Sequence, residues 1–257
     1  MENLKSIGDL KMPTRVIYEP KASAKEYSDL ALNLYKGCYH GCKYCYVPGV
    51  CKMTRENFSN FIEPKKNIIE RLLKDLRLIV DNNEFKKQPV LMSFTCDTYQ
   101  PLDQELELTR KAIHILNTFA FPIKILTKAN ELPQRDFDIL SAQKESQFGV
   151  TLSMVDEDVQ KEWEPNAGTP KQRIRNLKVA KEKGINTWLS LEPIIDIDQA
   201  LQVIDQTYEF TDFYGVGKLN YNKHQKSIDW KDARERIVDR FEKERKKYML
   251  HNSLMEA

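Results

Sequence analysis

A chain of 257 residues is long enough for one large α/β domain with a sizeable core. Its apolar content of 41 % is ordinary, no run approaches the about 20 apolar residues of a membrane span, and the start Met1-Glu2-Asn3-Leu4-Lys5 is too polar for a secretory signal. The net charge of +2 names no partner, and five cysteines without a leader predict a reducing, cytoplasmic setting.

Residues 1–29 carry Pro13, Pro20 and scattered charge without periodicity, and predict an N-terminal arm wrapping the core. Residues 30–35 are short and apolar, which suits a first strand. A loop with three cysteines follows, then the Pro48-Gly49 turn and a polar connection to about Pro64. Beyond it, helical and extended patterns alternate. The spacing predicts helices over 67–80, 105–119, 134–143, 170–183 and 197–208, with Gly184 closing the fourth. Strands are predicted over 90–95, 122–127, 148–153, 186–191 and 213–216, before a charged helical tail over 230–248. Six strand–helix units imply a parallel sheet with helices outside, two units short of a closed eight-fold barrel. The reading is an α/β fold, a partial (β/α)6 TIM-like barrel in one domain over 1–257. Its parts are the arm 1–29, the barrel core 30–220 and the helical tail 221–257. From Lys218 to Lys247 there are eleven Lys/Arg against six Asp/Glu, a pattern more often a solvated helix face than a phosphate-binding surface.

The loop reads Gly37-Cys38-Tyr39-His40-Gly41-Cys42-Lys43-Tyr44-Cys45-Tyr46. Three thiolates can hold three irons of a [4Fe–4S] cluster, which takes four cysteines when fully protein-ligated. A zinc site would want four ligands, and no second Cys/His pair lies nearby, although Cys51, Cys96 and His40 are within the neighbourhood. The spacing of Cys38, Cys42 and Cys45, with an aromatic before the last, resembles the signature of the radical S-adenosylmethionine (SAM) superfamily. The resemblance implies that the open iron binds the amino and carboxylate groups of SAM. It also implies that one electron, from a donor such as a flavodoxin or ferredoxin, cleaves SAM to methionine and a 5′-deoxyadenosyl radical that abstracts hydrogen from a substrate.

Active sites of such barrels lie at the C-terminal strand ends. That rule selects Ser93, Thr95 and Cys96 after the second strand, Thr127 and Lys128 after the third, Ser153 after the fourth and Glu192 after the fifth. Lys128 supplies a cation for the carboxylate of SAM, and Ser93, Thr95 and Ser153 supply hydroxyls. Further segments, among them Ile17-Tyr18-Glu19-Pro20-Lys21, Asp97-x-Tyr99-Gln100-Pro101, Glu164-Pro165 with Thr169 and Arg173, and Glu192-Pro193, resemble the spore-photoproduct-lyase-like group. By that match Ser93, Thr95, Lys128 and Ser153, with neighbouring Thr127, become cofactor candidates, and Tyr44 lies against the adenine.

The lyase returns hydrogen to its product from a cysteine where this chain has Phe94. Cys96, two residues on, faces the same side of an extended strand and becomes the candidate. Tyr99 and Glu192 are the substrate-side candidates, whereas His224 and His251 lie in a polar tail without a constellation. The expected activity is radical SAM chemistry on a nucleic acid base or nucleotide. A small metabolite or peptide substrate is the second reading, and a metal-stapled binding module without catalysis the third.

Overall fold

The structure is a computed structural model that describes residues 15–84 and 87–256, so the first half of the expected arm lies outside the described residues. In chain order the strands are β1 (Ile17–Tyr18), β2 (Leu30–Leu32), β3 (Tyr35–Lys36), β4 (Glu63–Pro64) and β5 (Val90–Met92). They continue as β6 (Ile123–Thr127), β7 (Gln147–Thr151), β8 (Asn186–Ile194), β9 (Phe213–Lys218) and β10 (Lys247–Leu250). One eight-stranded sheet runs β1-β2-β5-β6-β7-β8-β9-β10, and β3 pairs with β4 in a separate ribbon beside the cysteine loop. All neighbours from β2 to β10 pair parallel, and β1 joins β2 antiparallel.

The helices cover the outside because one stripe of each is apolar. Ile68–Asp81 buries Ile68, Leu72, Leu76 and Ile79 against the sheet and leaves most of its charges in water, while buried Asp75 accepts from the Val16 N–H. The helix Pro170–Glu182 starts on a capping box: Thr169 accepts from the Gln172 N–H, Gln172 answers the Thr169 N–H, and Pro170 fills the first turn. All six predicted core strands are present, and the packed layer between sheet and helices is the main apolar core.

Three features depart from the sequence-based pattern. The helix expected over 105–119 is two helices, Leu102–Leu106 and Leu108–Thr118, broken where Glu107 takes a left-handed conformation. The third expected helix is a 3-10 turn, Leu132–Asp136, running into Phe137–Leu140. The tail helix Trp230–Lys243 ends before left-handed Arg245, and the chain then adds β10 as a further parallel strand beside β9. The arginines of that helix are engaged: Arg236 pairs with Asp198 and Asp232, Arg240 with Asp205, and Arg234 donates to Met255 O.

Candidate active site

The cysteine loop leaves β3 and is held by backbone bonds at several points. The Cys38 N–H donates to Phe58 O at 3.0 Å, the Lys43 N–H to Trp163 O at 2.9 Å and the Tyr39 N–H to Gln100 Oε1 at 3.1 Å. Asn166 Nδ2 donates to Tyr39 O, and Arg55 to Cys42 O. Gly37 opens the loop at φ +75°, and a Cβ there would lie 2.4 Å from Phe61 O and 2.8 Å from Phe58 O. Only glycine takes both the dihedral and the close approach. Gly37→Ala is therefore expected to destabilise the apoprotein by about 1–3 kcal/mol, read by urea unfolding, because the Cys38–Phe58 bond must open.

Cys38, Cys42 and Cys45 face one cleft at the C-terminal ends of the strands. Tyr44 and Lys128 line it, as does the segment from Ser93 to Asp97. The cleft encloses about 560 Å³, counting space continuous with solvent. Among the described residues no three His, Cys, Asp or Glu side chains converge on a point that could hold a single metal ion. Three thiols ringing a cleft suit a many-atom cluster better than a lone zinc. Burial pushes all three thiols up, Cys42 to about 12, so binding a metal there would displace protons.

The other donors fit a zwitterionic nucleoside. Lys128 Nζ stands 5.7 Å from the centre of the Tyr44 ring. Burial works to discharge it, but Cys42 and Glu164 hold it above the usual lysine range. Ser93 Oγ is buried, with the Cys96 thiol as its neighbour. Tyr44 donates to Glu164, whose other oxygen lies 2.5 Å from Arg173, and both members of this ion pair are wholly buried. Burial alone would raise Glu164, and Arg173 and Lys128 keep it below the ordinary carboxylate range.

Asp97 organises the mouth, although its role was not legible in the sequence. It accepts from the Tyr99 N–H, the Lys128 N–H and the Thr127 hydroxyl, each at 2.8 Å, and its Oδ2 lies 2.9 Å from His40 Nε2. Burial would raise its pKa, but His40 and these donors hold it down at about 2. Asn33 does similar work beneath it, accepting from the Phe94 and Thr95 N–H groups.

Of the expected residues, Tyr44, Ser93, Thr95, Cys96, Thr127 and Lys128 line the cleft with the three cysteines. Thr127 spends its hydroxyl on Asp97 and on the Ala129 N–H. Ser153 lies two residues beyond the end of β7, with Thr151 at the cleft wall, and its hydroxyl is buried without a hydrogen-bond partner. Tyr99 is also corrected. The Asp97 side chain turns the chain so that the Tyr99 ring enters the core beside Asp103, Asp136 and Arg135, with 2 % of its surface exposed.

Glu192 faces the barrel lumen and not the thiols. Tyr27 donates to its Oε2, and His251 Nε2 lies 3.5 Å away. His251, expected to be idle, is buried here with Nδ1 2.9 Å from Glu26. Burial, with help from Glu26, raises Glu192 to about 8. Between its unfolded value near 4.5 and about 8, only the unfolded state is ionised, so this group removes stability as pH rises. Glu192→Gln should raise the melting temperature by on the order of 5 °C at pH 8 and leave it unchanged at pH 4.5, read by scanning calorimetry.

Parallel strands that deliver a three-thiol loop, a lysine and buried hydroxyls to one mouth define an α/β partial barrel built for a cluster and a charged nucleoside. The Radical SAM superfamily model matches residues 32–210, and the chain belongs to that superfamily, an enzyme family that uses a [4Fe–4S] cluster and SAM. A protein of Methanocaldococcus jannaschii is 30 % identical over 191 residues, covering 74 % of this chain and 70 % of that one. A Mycobacterium tuberculosis protein is 23 % identical over 183 residues, covering 68 % of this chain and 52 % of its own length.

Among solved structures, spore photoproduct lyase complexed with dinucleoside spore photoproduct superposes with a TM-score of 0.70 at 13 % identity. The match covers 91 % of this chain and 79 % of the lyase. A lyase variant with bound AdoMet gives 0.64 at 16 % identity, with 86 % of this chain and 63 % of that one covered. Streptococcus suis SuiB bound to S-adenosylmethionine gives 0.61 at 15 % identity, covering 86 % and 45 %. These likenesses are of fold. Among the described residues no helix is long and apolar enough to cross a membrane.

Proposed function

We propose that Cys38, Cys42 and Cys45 ligate the cluster and that the chain generates a radical from SAM to abstract hydrogen from a nucleic acid base or nucleotide. The observation that carries the reading is the convergence of three thiols, Lys128 and the buried Ser93 hydroxyl on one cleft. When bound, the cluster and SAM supply one-electron cleavage of the sulfonium and a carbon-centred radical.

The protein's own part is binding and orientation. Lys128 offers its charge to the carboxylate, Ser93 and Thr95 offer hydroxyls, and the Tyr44 ring offers a face for the adenine. Glu164 and Arg173 hold Tyr44 in place, and Asp97 fixes the backbone of Lys128. Cys96, on the cleft wall with its thiol kept protonated by burial at about 11, has a hydrogen atom to give.

The nucleic acid class is supported by the likeness to the lyase and by exposed rings near the loop. Tyr46 is 49 % exposed, and Tyr221, beyond β9, is 90 % exposed. Such rings serve as stacking platforms for bases. The tail helix argues less for it, since its arginines are paired. The test is anaerobic reconstitution, then SAM and dithionite, with chromatography for 5′-deoxyadenosine. Product should form slowly alone and at least about tenfold faster with single-stranded oligonucleotide, with binding that weakens steeply as salt rises. Stimulation by peptides and not by oligonucleotides would replace the base with a peptide substrate.

A further inference from the structure

Beside the cofactor cleft, the lumen of the barrel holds a second set of polar and aromatic groups. Three glycines of the lumen wall are overlain by three large side chains. A Cβ on Gly149 would lie 2.3 Å from the Trp188 ring, one on Gly215 3.3 Å from His251 Nε2, and one on Gly217 2.4 Å from the Glu192 carboxyl. The sequence has removed side chains here to seat Trp188, His251 and Glu192.

Tyr27 enters from the N-terminal segment. Its ring stacks on His251 at 4.6 Å and meets the edges of Phe94 at 5.7 Å and Trp188 at 6.2 Å. Phe94 also lines the cofactor cleft, so the two spaces share a wall. The register continues the connection: Thr151 of the cleft pairs with Ser190 of β8, two residues before Glu192.

The hydrogen bonding is uneven in an informative way. Glu26 accepts from the Asn252 N–H and its side-chain amide as well as facing His251 Nδ1, which places the imidazole proton on Nδ1. His251 Nε2 is then a lone-pair acceptor, buried, without a hydrogen-bond partner and aimed at Glu192. Glu192 Oε2 is engaged by Tyr27, whereas Oε1 has no hydrogen-bond partner among the described residues. The Glu192 side chain keeps 23 % of its surface accessible inside the concave lumen. A half-buried carboxyl with one oxygen fixed and the other open is half of a recognition pair.

We infer that this lumen is the substrate pocket, in which the free oxygen of Glu192 hydrogen-bonds the polar edge of a planar ring, a nucleobase, packed against Phe94. The inference rests on the cofactor assignment above and names the residues that read the substrate. Aromatic rings with a few convergent polar groups, here Glu192, His251 and the Lys124 ammonium over the Trp188 ring, are the usual make-up of a pocket for a flat heterocycle. A base taken out of its stack is read by hydrogen bonds to its edge and by ring contacts. The elevated pKa of Glu192 fits a carboxylic acid that donates to a ring carbonyl or ring nitrogen.

The test uses the reconstituted holoprotein with SAM and no reductant, titrated with the four deoxynucleosides and followed by saturation-transfer NMR. Wild type should bind at least one of the four. Glu192→Gln, which keeps a donor and an acceptor, should bind it within about threefold, and Glu192→Leu should bind it at least about tenfold more weakly, which is about 1.4 kcal/mol. The affinity for SAM is the control and should not follow the nucleoside affinity. Phe94→Ala supplies a second variant, expected to weaken the same nucleoside.

Wild-type holoprotein that binds SAM but no nucleoside overturns the inference and leaves the cofactor assignment standing. So does a Glu192→Leu variant that binds like wild type, or one whose SAM affinity falls in step. A preparation without iron removes the cofactor assignment instead, and the nucleoside titration, which needs no electron, still decides the lumen.

Discussion

Cys42→Ala is expected to leave a folded, colourless protein that forms no 5′-deoxyadenosine above background, a loss on the order of 10³-fold or more. The loop does not depend on its thiols for shape. Cys38, Tyr39 and Lys43 are tied by their backbone N–H groups to Phe58, Gln100 and Trp163, and Arg55 holds the Cys42 carbonyl. Removing one buried sulfur should therefore shift the apoprotein melting temperature by only about 2–4 °C, the consequence of a small cavity. This separates a catalytic centre from a metal staple, because structural metal supplies folding energy outright and its loss unfolds the chain. A collapsed circular dichroism spectrum for Cys42→Ala would favour the staple.

The second large effect is expected at Arg173. Its side chain donates to Gly168 O at 2.7 Å and to Thr151 O at 2.9 Å, and it pairs with Glu164 where neither side chain has exposed surface. Arg173→Leu takes the paired cation from buried Glu164 and leaves it only the Tyr44 hydroxyl and the more distant charge of Lys128, which costs about 3 kcal/mol. The loss should be largest near neutral pH and smaller in acid, where Glu164 takes up a proton. The double variant Glu164→Gln with Arg173→Met should recover part of the loss, because burying no charge is cheaper than burying one. Tyr44 donates to Glu164, so the single variant should also weaken SAM binding by at least about tenfold. Urea unfolding and equilibrium SAM binding read the two effects, and a loss below about 1 kcal/mol would show that the pair does not brace the cleft.

What the sequence disclosed was local in the chain. The cysteine spacing, the six core strands and the lysine after β6 are short-range patterns, and the structure brings them together at one mouth. Contacts between distant parts of the chain were not legible. Glu26 and His251 meet across 225 positions, and Tyr27 reaches Glu192 across 165. No periodicity links such residues, so His251 read as a tail histidine. The strand expected over 148–153 ends at Thr151, its last ladder pair, because the apolar run continues past the end of the ladder. Tyr99 was misplaced by one side chain: Asp97 bonds the Tyr99 N–H and turns the ring inward, a consequence of a turn and not of composition. The strand β10 escaped because Lys247–Leu250 is short and lies behind a highly charged helix.

The measurement that bears most directly on the central assignment is electron paramagnetic resonance of the anaerobically reconstituted, dithionite-reduced chain, with iron and sulfide determined on the same sample. Ligation by Cys38, Cys42 and Cys45 with one iron open to SAM predicts about four irons and four sulfides per chain, and a reduced-cluster signal that changes when SAM is added. Zinc in place of iron, or a cluster whose spectrum is indifferent to SAM, would contradict it.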